Sequence, residues 1–264
     1  MDIFLWKGKA TNFIMSIINY FLVLGCGHSE SLDHFNNNSI VIASDGNLLI
    51  DCGHTIKHAL AKQQMSIEDV DAIYISHVHG DHVFGLERFA YESKFKYKKR
   101  IKLIFHRDLQ SELWDQTLKG SLGRHGDGDA SLSDYFDVVV LDEYNFSIFG
   151  NDYELIPVRH TPGKPTYGLL INKYLFFSAD TIALPKLMSV LDFAVGFHDV
   201  TLSHSNPVHA TLDSLVSLYP ARIKKKLYLM SYEDSWREYI VKVDSEFLGF
   251  ASQGMIIELK HGKI

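Results

Sequence analysis

The chain has 264 residues, 46% of them hydrophobic, which is enough apolar material for a sizeable core in a soluble globular protein. Its formal net charge of −6 excludes a global positive field that would recruit nucleic acid or an anionic membrane. The two cysteines, Cys26 and Cys52, are too few for a disulfide scaffold, so we predict a protein of the reducing cytoplasm.

Residues 1–19 precede the first predicted core strand and are expected to form an N-terminal extension, as an added strand or helix. Lys7 and Lys9 stand before the apolar stretch FIMSIINYFLVLGC, which superficially resembles a lipoprotein signal ending at Cys26. We favour another interpretation, because YFLVLG is typical of a buried strand that leads into a glycine turn. The run is also too short to span a bilayer.

Apolar runs of strand length recur along the rest of the chain, and their number requires at least two sheets. In chain order they are YFLVLG, SIVIAS, NLLIDCG, DAIYISH, IKLIFH, FDVVVLD, YELIPVRH, TYGLLIN, KYLFFSAD, FAVGFHD and KKLYLMS.

Helices are predicted for HTIKHALAKQQ, LQSELWDQTLKGSL and ATLDSLVSLYP, the last with Leu212, Leu215 and Leu218 on one apolar face. This order of elements favours an α/β fold in which sheets are sandwiched between helices. No linker or repeat divides the chain, so we expect a single domain over residues 1–264. Residues 123–134, GRHGDGDASLSD, form the most loop-like segment and a candidate lid.

The hexapeptide HVHGDH, residues 77–82, follows the predicted strand DAIYIS directly. In extended backbone His77 and His79 point the same way, and two converging neutral imidazoles suit zinc, with iron or manganese as alternatives. Gly80 allows a sharp turn that brings Asp81 and His82 to a second point nearby. Histidines can instead cap a strand, but the density of such residues here favours a site for two metals.

Other polar residues follow predicted strands and are candidates for the same sheet edge. A histidine in this position is more often a hydrogen-bonded polar group than a ligand, but the recurrence favours one shared site. These residues are His160, Asp180, His198 with Asp199, and Ser231 with Tyr232.

In this order the motifs resemble the metallo-β-lactamase fold superfamily, and within it the branch of ribonuclease Z-like phosphodiesterases. The resemblance runs from Phe21 to about Ser231. Its pieces are LGCG, NLLIDCGHTI, SHVHGDHVFGLE, RHTPGKPTYGLLI, FFSADT and PVHATLDSL. It implies a four-layer αββα sandwich of two mixed β-sheets flanked by helices.

The resemblance also implies a ligand set for two zinc ions. The first metal would bind His77, His79 and His160, the second would bind Asp81 and His82, and Asp180 would bridge them. The family expects one more histidine where this chain has LYLMSYED, and Ser231 most nearly occupies that position. Because a serine hydroxyl is a poor zinc ligand, we expect the second metal to bind more weakly. His204 is a conceivable substitute, with a surface loop position as the alternative.

Two metals about 3.5–4 Å apart can share a hydroxide and neutralise charge on the group attacked, which suits hydrolysis. The expected catalytic residues are Asp81, which would orient the hydroxide, and His209, which would protonate the leaving oxygen. For His209 the alternative is a structural position beside the start of the helix in ATLDSL.

The favoured substrate is a small phosphodiester such as a cyclic nucleotide, because HGDHVFGLE resembles the phosphodiesterase branch. A transfer-RNA 3′-processing endonuclease is disfavoured, since only about 20 residues separate His160 from Asp180 and leave no room for the long basic arm of those enzymes. Armless relatives include viral enzymes that destroy cyclic nucleotide signals, commonly as homodimers. An ester, thioester or lactone hydrolase and a degenerate, non-enzymatic metal-binding protein stay open as alternatives.

Contact with a longer nucleic acid depends on one basic run, residues 94–102, KFKYKKRIK. Tyr91 and Tyr97 could stack on bases beside it. The alternative is a solvated helix face or loop, which we favour.

Overall fold

Buried apolar runs separated by turns produce sixteen strands within residues 18–262, which are the residues that this computed structural model describes. The strands are β1 (Asn19–Gly25), β2 (Asn38–Ala43), β3 (Gly46–Ile50), β4 (Ala72–Tyr74), β5 (Ile101–His106), β6 (Arg124–His125), β7 (Gly128–Asp129), β8 (Phe136–Leu141), β9 (Asn145–Ile148), β10 (Asn151–Pro157), β11 (Tyr167–Ile171), β12 (Leu175–Phe177), β13 (Val195–Asp199), β14 (Leu227–Met230), β15 (Gly249–Phe250) and β16 (Ile256–Leu259).

Fourteen of these strands form two mixed sheets of seven strands each. The first sheet has the order β16-β1-β2-β3-β4-β5-β8, and the second has the order β15-β14-β13-β12-β11-β10-β9. In the first sheet β3, β4, β5 and β8 are parallel. In the second sheet β12, β13, β14 and β15 are parallel. Side chains that follow parallel strands are thereby collected at one edge of each sheet.

The core lies between the two sheets, where large aromatic rings meet. The Phe21 ring of β1 lies 5.0 Å from that of Phe197 in β13 and 6.2 Å from that of Phe177 in β12, measured between ring centroids. All three side chains are completely buried. Each such residue removes well over 100 Å² from water, so these contacts fix how the sheets face each other.

Helices cover the outer faces and bury only one side each. They are α1 (Ile56–Lys62), α2 (Gly80–Val83), α3 (Leu86–Tyr91), α4 (Lys119–Leu122), α5 (Pro185–Val190), α6 (Leu212–Leu218), α7 (Ala221–Lys224) and α8 (Ile240–Glu246). Two π-helical segments, Glu92–Tyr97 and Glu112–Leu118, extend α3 and precede α4. The predicted four-layer α/β sandwich of two mixed sheets flanked by helices is confirmed.

The predicted apolar face of α6 is wrong at one position. Leu212 and Leu215 are buried, but Leu218 is 50% exposed. Helical periodicity places the next inward position at Tyr219, and that ring is buried. Its hydroxyl lies 2.8 Å from His198 Nε2 and accepts a hydrogen bond from the Leu184 backbone.

All eleven predicted strands are present, although β6, β7, β9, β15 and β16 were not predicted. Residues 1–17 of the predicted N-terminal extension lie outside the described residues. Cys26 follows β1 and is fully buried. The candidate lid contains the hairpin β6–β7, in which the His125 ring lies 6.1 Å from that of Tyr135; its lid role stays a prediction.

Within the part of the chain that the structure describes, no helix combines the length and the hydropathy needed to cross a membrane.

The turn after β3 requires a residue without a side chain at position 53. A Cβ atom on Gly53 would lie 1.9 Å from the Asp81 carbonyl oxygen, which is backbone and cannot rotate away. We expect Gly53→Ala to lower the free energy of unfolding by about 1–3 kcal/mol, as overpacking typically does. Urea unfolding followed by circular dichroism measures this change.

Gly120→Ala is the matched control, because a Cβ atom at Gly120 meets nothing within 4 Å and the position is helical. It should leave the stability unchanged or raise it by up to about 1 kcal/mol. Equal midpoints for the two variants would show that the turn can move away from the 77–82 segment.

Candidate metal centre

The candidate site forms where strands of both sheets end. Three non-glycine residues there have left-handed backbone: Asp51 after β3, Ala179 shortly after β12 and Ser231 after β14, with φ of 61°, 52° and 62°. Such conformations cost of order 1–3 kcal/mol each and persist where the surrounding structure enforces them. They turn the chain sharply at each strand end and direct the neighbouring polar side chains inward.

The first donor set consists of His77, His79, His160 and Asp180, whose ligand atoms all lie within 4.8 Å of one another. His79 Nδ1 lies 3.2 Å from His77 Nε2 and 3.1 Å from His160 Nε2. Asp180 Oδ2 lies 3.8 Å and 3.9 Å from those two Nε2 atoms. Three imidazole nitrogens and one carboxylate oxygen around a common point form a donor set that zinc prefers.

Hydrogen bonds behind the rings fix their orientation. His160 Nδ1 donates to the Val208 carbonyl at 2.8 Å, so Nε2 is free to face the centre. His77 Nδ1 lies 3.0 Å from the Ser76 hydroxyl. Burial lowers the pKa of His79 and His160, and it lowers the pKa of His77 well below the usual range. The rings are therefore neutral at physiological pH, which is the form that binds metals.

The second donor set consists of Asp81, His82 and the same Asp180. His82 Nε2 lies 3.4 Å from Asp81 Oδ2 and 3.3 Å from Asp180 Oδ2. Sequence reasoning missed what orients His82: its Nδ1 lies 2.8 Å from the buried carboxylate of Asp51. A carboxylate behind a histidine is the usual arrangement around protein-bound metals, because it directs the other nitrogen to the ion.

Asp51 is itself held by the residue that precedes the hexapeptide. Its carboxylate accepts hydrogen bonds from the Ser76 backbone at 2.8 Å and from the Ser76 hydroxyl at 2.7 Å. An aspartate directly after a strand and a serine before the first histidine were visible in the sequence. Their pairing across two neighbouring strands was not.

The charges of the two donor sets depend on one another. Burial opposes the charged form of His82, but three surrounding carboxylates, foremost that of Asp180, outweigh it and hold its pKa well above the usual range. Burial also opposes the charged form of Asp180 and would raise its pKa. The imidazoles, foremost His82, outweigh burial and hold the pKa of Asp180 well below the usual range. A proton on His82 thus balances the buried carboxylate, and cation binding would displace that proton.

Two buried atoms test whether the centre fits divalent cations. Within residues 18–262, His82 Nε2 and Asp180 Oδ1 are buried and have no hydrogen-bond partner. Leaving such groups unpaired costs about 1–3 kcal/mol each. Both belong to the donor sets, and Asp180 Oδ2 lies 3.3 Å from His82 Nε2 and 3.8 Å from His77 Nε2, which suits a carboxylate shared by the two sets. The residues therefore fit two ions.

A histidine–aspartate pair lies beside the donor sets. His209 Nδ1 is 2.8 Å from Asp199 Oδ2, and the His209 ring lies 4.8 Å from that of His160 between centroids. Burial lowers the pKa of His209, but the Asp199 carboxylate outweighs it and raises that pKa to about 9. His209 is consequently protonated at neutral pH and can donate a proton. Asp199 was predicted only as a strand-end candidate, and its role toward His209 was missed.

Other strand-end candidates have structural partners. His198 is buried, with Nδ1 at 2.7 Å from the Asp199 carbonyl. Tyr232 is buried and donates to the Ala251 carbonyl at 2.6 Å. The side chain of His204 is 91% exposed and lies 3.9 Å from Asp213, so it is a surface residue rather than a substitute ligand.

Ser231 lies buried at the end of β14, and its hydroxyl accepts a hydrogen bond from the Asn37 amide at 2.9 Å. Asn37 Oδ1 is buried without a partner among the described residues. A histidine that sequence reasoning missed, His28, lies next to this strand end: its backbone donates to the Tyr232 carbonyl at 3.0 Å. The His28 ring lies 5.5 Å from that of His209, so an imidazole faces the site from this side.

In the basic run at residues 94–102, several charged side chains have local partners. Lys99 pairs with Asp71 at 2.7 Å, and Arg100 pairs with Asp137 at 2.6 Å. Lys94 Nζ lies 4.9 Å from the centre of the Tyr135 ring.

Comparison with known families gives one match that spans most of the chain. The family model described as "Anti-Pycsar protein Apyc1" matches residues 19–257. The Apyc1 protein of Paenibacillus sp. (strain J14) is 40% identical over 223 residues, covering 82% of this chain and 90% of that protein. The Apyc1 protein of Bacillus phage BSP38 is 33% identical over 247 residues, covering 88% and 95%.

Solved structures share the fold at low sequence identity. A diphosphatase of the PhnP family has a TM-score of 0.74 at 19% identity, covering 92% of this chain and 98% of that chain. Zn²⁺-bound PqqB from Methylobacterium extorquens has a TM-score of 0.69 at 12% identity, covering 91% and 100%. The metallo-β-lactamase fold protein YhfI from Bacillus subtilis has a TM-score of 0.72 at 15% identity, covering 91% and 99%. The resemblance to the metallo-β-lactamase fold is confirmed.

Substitution of Ser231 tests the second donor set. The left-handed backbone at this position tolerates histidine, and an imidazole there would add a ligand at about 2.0–2.1 Å from the ion. We expect Ser231→His to raise the affinity for the second zinc by at least about tenfold, or 1.4 kcal/mol. Zinc titration by calorimetry measures both sites.

Ser231→Asn is the matched control, because asparagine also tolerates this backbone but supplies no imidazole. It should leave the second affinity unchanged. Equal stoichiometry and equal affinity in Ser231→His and the parent chain would mean that residue 231 does not face the second donor set.

Proposed function

The chain belongs to the family of anti-Pycsar Apyc1 proteins, and from that membership we propose that it is a phosphodiesterase that hydrolyses a small cyclic nucleotide. Its fold, family and histidine–aspartate cluster make it a metal-dependent hydrolase. The single observation that carries the proposal is the convergence of two donor sets on Asp180, with a protonated His209 beside them.

Hydrolysis of a phosphodiester needs a nucleophile, charge neutralisation and a proton for the leaving oxygen. Two divalent cations, when bound, would supply a hydroxide near neutral pH and neutralise charge on the phosphate. Asp81 is half-buried at the edge of the second donor set, where its carboxylate can orient the attacking oxygen. The bond between phosphorus and the leaving oxygen then breaks.

His209 would donate its proton to that leaving oxygen. Asp199 fixes the ring through Nδ1 and favours the protonated form, so Nε2 carries the proton that is transferred. The products are a phosphomonoester and a free hydroxyl, and His209 regains a proton from solvent. The roles of the metal-binding residues His77, His79, Asp81, His82, His160 and Asp180 are part of this proposal.

Zinc is the proposed metal because nitrogen donors predominate in the first donor set. A homodimer and a cytoplasmic location, both expected from the sequence, complete the proposal. Processing of transfer RNA is disfavoured, since β11 and β12 occupy the interval between His160 and Asp180 and leave no inserted arm. Ester or thioester hydrolysis by the same centre is the competing activity.

The deciding experiment combines elemental analysis with a substrate screen. The purified chain should contain zinc and should hydrolyse at least one cyclic mononucleotide or cyclic dinucleotide faster than a thioester. His79→Ala should lose most bound zinc and most hydrolysis, because His79 is the half-buried member of the first donor set and its Nδ1 contacts two other ligand nitrogens.

His58→Ala serves as the control, since His58 is exposed on α1. It should keep both metal and activity. Zinc retention in His79→Ala would contradict the assigned ligands, whereas cleavage of the thioester alone would replace the phosphodiesterase proposal with the competing one.

The proton donor is tested with substrates whose leaving groups differ in basicity. His209→Asn should lower kcat by about 10²–10⁴-fold for a cyclic nucleotide, whose alkoxide leaving group needs a proton. The loss should be much smaller for bis(p-nitrophenyl) phosphate, because p-nitrophenolate leaves without protonation. Steady-state kinetics on both substrates, with zinc content as a check, measure the difference.

His204→Asn provides the comparison, because the side chain it alters is exposed to solvent. Equal losses on the two substrates in His209→Asn would assign His209 to phosphate binding instead of proton donation.

A further inference from the structure

A pocket of about 350 Å³ opens against the outer side of His79. It is lined by Val78, His79, Gly80, Val83, Phe84, Glu112, Gln116, Thr117 and Lys164. His79 Nδ1 faces the other ligand nitrogens of the first donor set, so the same ring separates that set from the pocket. The volume lies within the range of about 300–1,000 Å³ that is common for small-molecule sites. Because His79 belongs to both, the pocket adjoins the first donor set.

The apolar side of the pocket is formed by an aromatic ring that the core does not use. The Phe84 side chain is 59% exposed although it directly follows the hexapeptide. A Cβ atom on Gly80 would lie 2.6 Å from the Phe84 ring, so the ring lies against the Gly80 backbone and cannot be displaced toward it. One face of the ring is thus covered by the Gly80 backbone, whereas much of the side chain is open to solvent and available for stacking.

The opposite side of the pocket is polar and comes from a π-helical segment, Glu112–Leu118. π-Helices are rare and occur frequently at functional sites. This one places Glu112, Gln116 and Thr117 in the pocket lining. The Gln116 amide is exposed there and can both donate and accept hydrogen bonds.

A lysine contacts both this polar side of the pocket and the segment that carries the metal-binding histidines. Lys164 forms an ion pair with Glu112 and donates to the Val78 carbonyl at 3.2 Å. Its positive charge contributes to lowering the pKa of His79, after burial and the neighbouring His160. The Lys164 ammonium group is therefore close to His79, where a phosphate at the metal centre would also lie.

We propose that this pocket, the Phe84 pocket, receives the base of the cyclic nucleotide, with the base stacked on Phe84 and its edge facing Gln116. The inference rests on the proposed function, because it assumes a substrate whose phosphate lies at the donor sets. A flat aromatic base matches the free face of Phe84, and the amide opposite matches the hydrogen-bonding edge that every base presents.

The test compares a substrate with a base and one without. For Phe84→Ala, kcat/KM for the best cyclic mononucleotide should fall about 5–150-fold, mainly through KM, which is the range for losing one stacked base. For 1-deoxyribose 3′,5′-cyclic phosphate, which has the same ring phosphate but no base, kcat/KM should change less than twofold. Phe84→Trp should keep or improve the nucleotide value, because it retains a stacking face.

Phe95→Ala is the matched control, since Phe95 is 45% exposed and lies in the other π-helical segment, Glu92–Tyr97. It should leave both substrates unaffected. Equal loss on both substrates in Phe84→Ala would show that the ring supports the neighbouring metal-binding turn, and no loss on either would show that the base lies elsewhere. Both results overturn the inference.

Failure of the proposed function itself is recognised separately. If the parent chain hydrolyses neither cyclic phosphate, calorimetric binding of a nucleoside 5′-monophosphate and of ribose 5-phosphate decides about the pocket. Weaker binding of the nucleotide alone in Phe84→Ala supports it. Equal binding by parent and variant overturns it.

Discussion

The organisation of the centre depends on one buried carboxylate. Asp180 is 3% exposed, and isolated burial of its charge would cost several kcal/mol. Three imidazole Nε2 atoms lie within 3.3–3.9 Å of its Oδ2 atom, and they belong to His77 after β4, His82 in α2 and His160 after β10. The left-handed backbone of Ala179 places the aspartate there. The backbone strain at this residue and the pairing of the strands together bring imidazoles and carboxylates to one point.

Two carboxylates outside the donor sets act in the same way on two different histidines. Asp51 holds His82, and Asp199 holds His209; in each pair the aspartate contacts Nδ1 at 2.8 Å. The surroundings of these two histidines then favour different chemical roles. His82 lies between Asp81 and Asp180, where a cation can replace its proton. His209 lies beside the neutral His160 and keeps its proton because the Asp199 carboxylate favours the charged ring. In the proposed mechanism the same carboxylate–histidine arrangement would serve both metal binding and proton donation.

The sequence was sufficient for eleven strands and for the four polar residues of HVHGDH, because apolar runs and that spacing are local patterns. His160 and Asp180 were strand-end candidates that only the family resemblance assigned to the same site. It was not sufficient for Asp51, since its partners Ser76 and His82 belong to another strand and become neighbours only when β3 pairs with β4. The π-helical segment Glu112–Leu118 was predicted as ordinary helix, because apolar spacing does not distinguish the two kinds of helix. As a phenylalanine, Phe84 would be expected in the core from the sequence alone. Its exposure in the structure shows that the ring is available to contact a ligand.

The departure at Ser231 is confined to one side chain, and this limits its consequences. The strand end keeps its position: the Ser231 backbone donates to the Cys26 carbonyl at 2.9 Å, and Gly27 pairs with Tyr232. The first donor set and the His209–Asp199 pair do not include residue 231, so nitrogen donors and the proton donor are intact. Relative to the pattern that the family resemblance implies, the second donor set lacks one imidazole and contains His82 beside two carboxylates. Oxygen-rich coordination is weaker for zinc and better suited to harder cations such as manganese. For the proposed two-metal centre we therefore expect the second donor set to favour harder cations than the first.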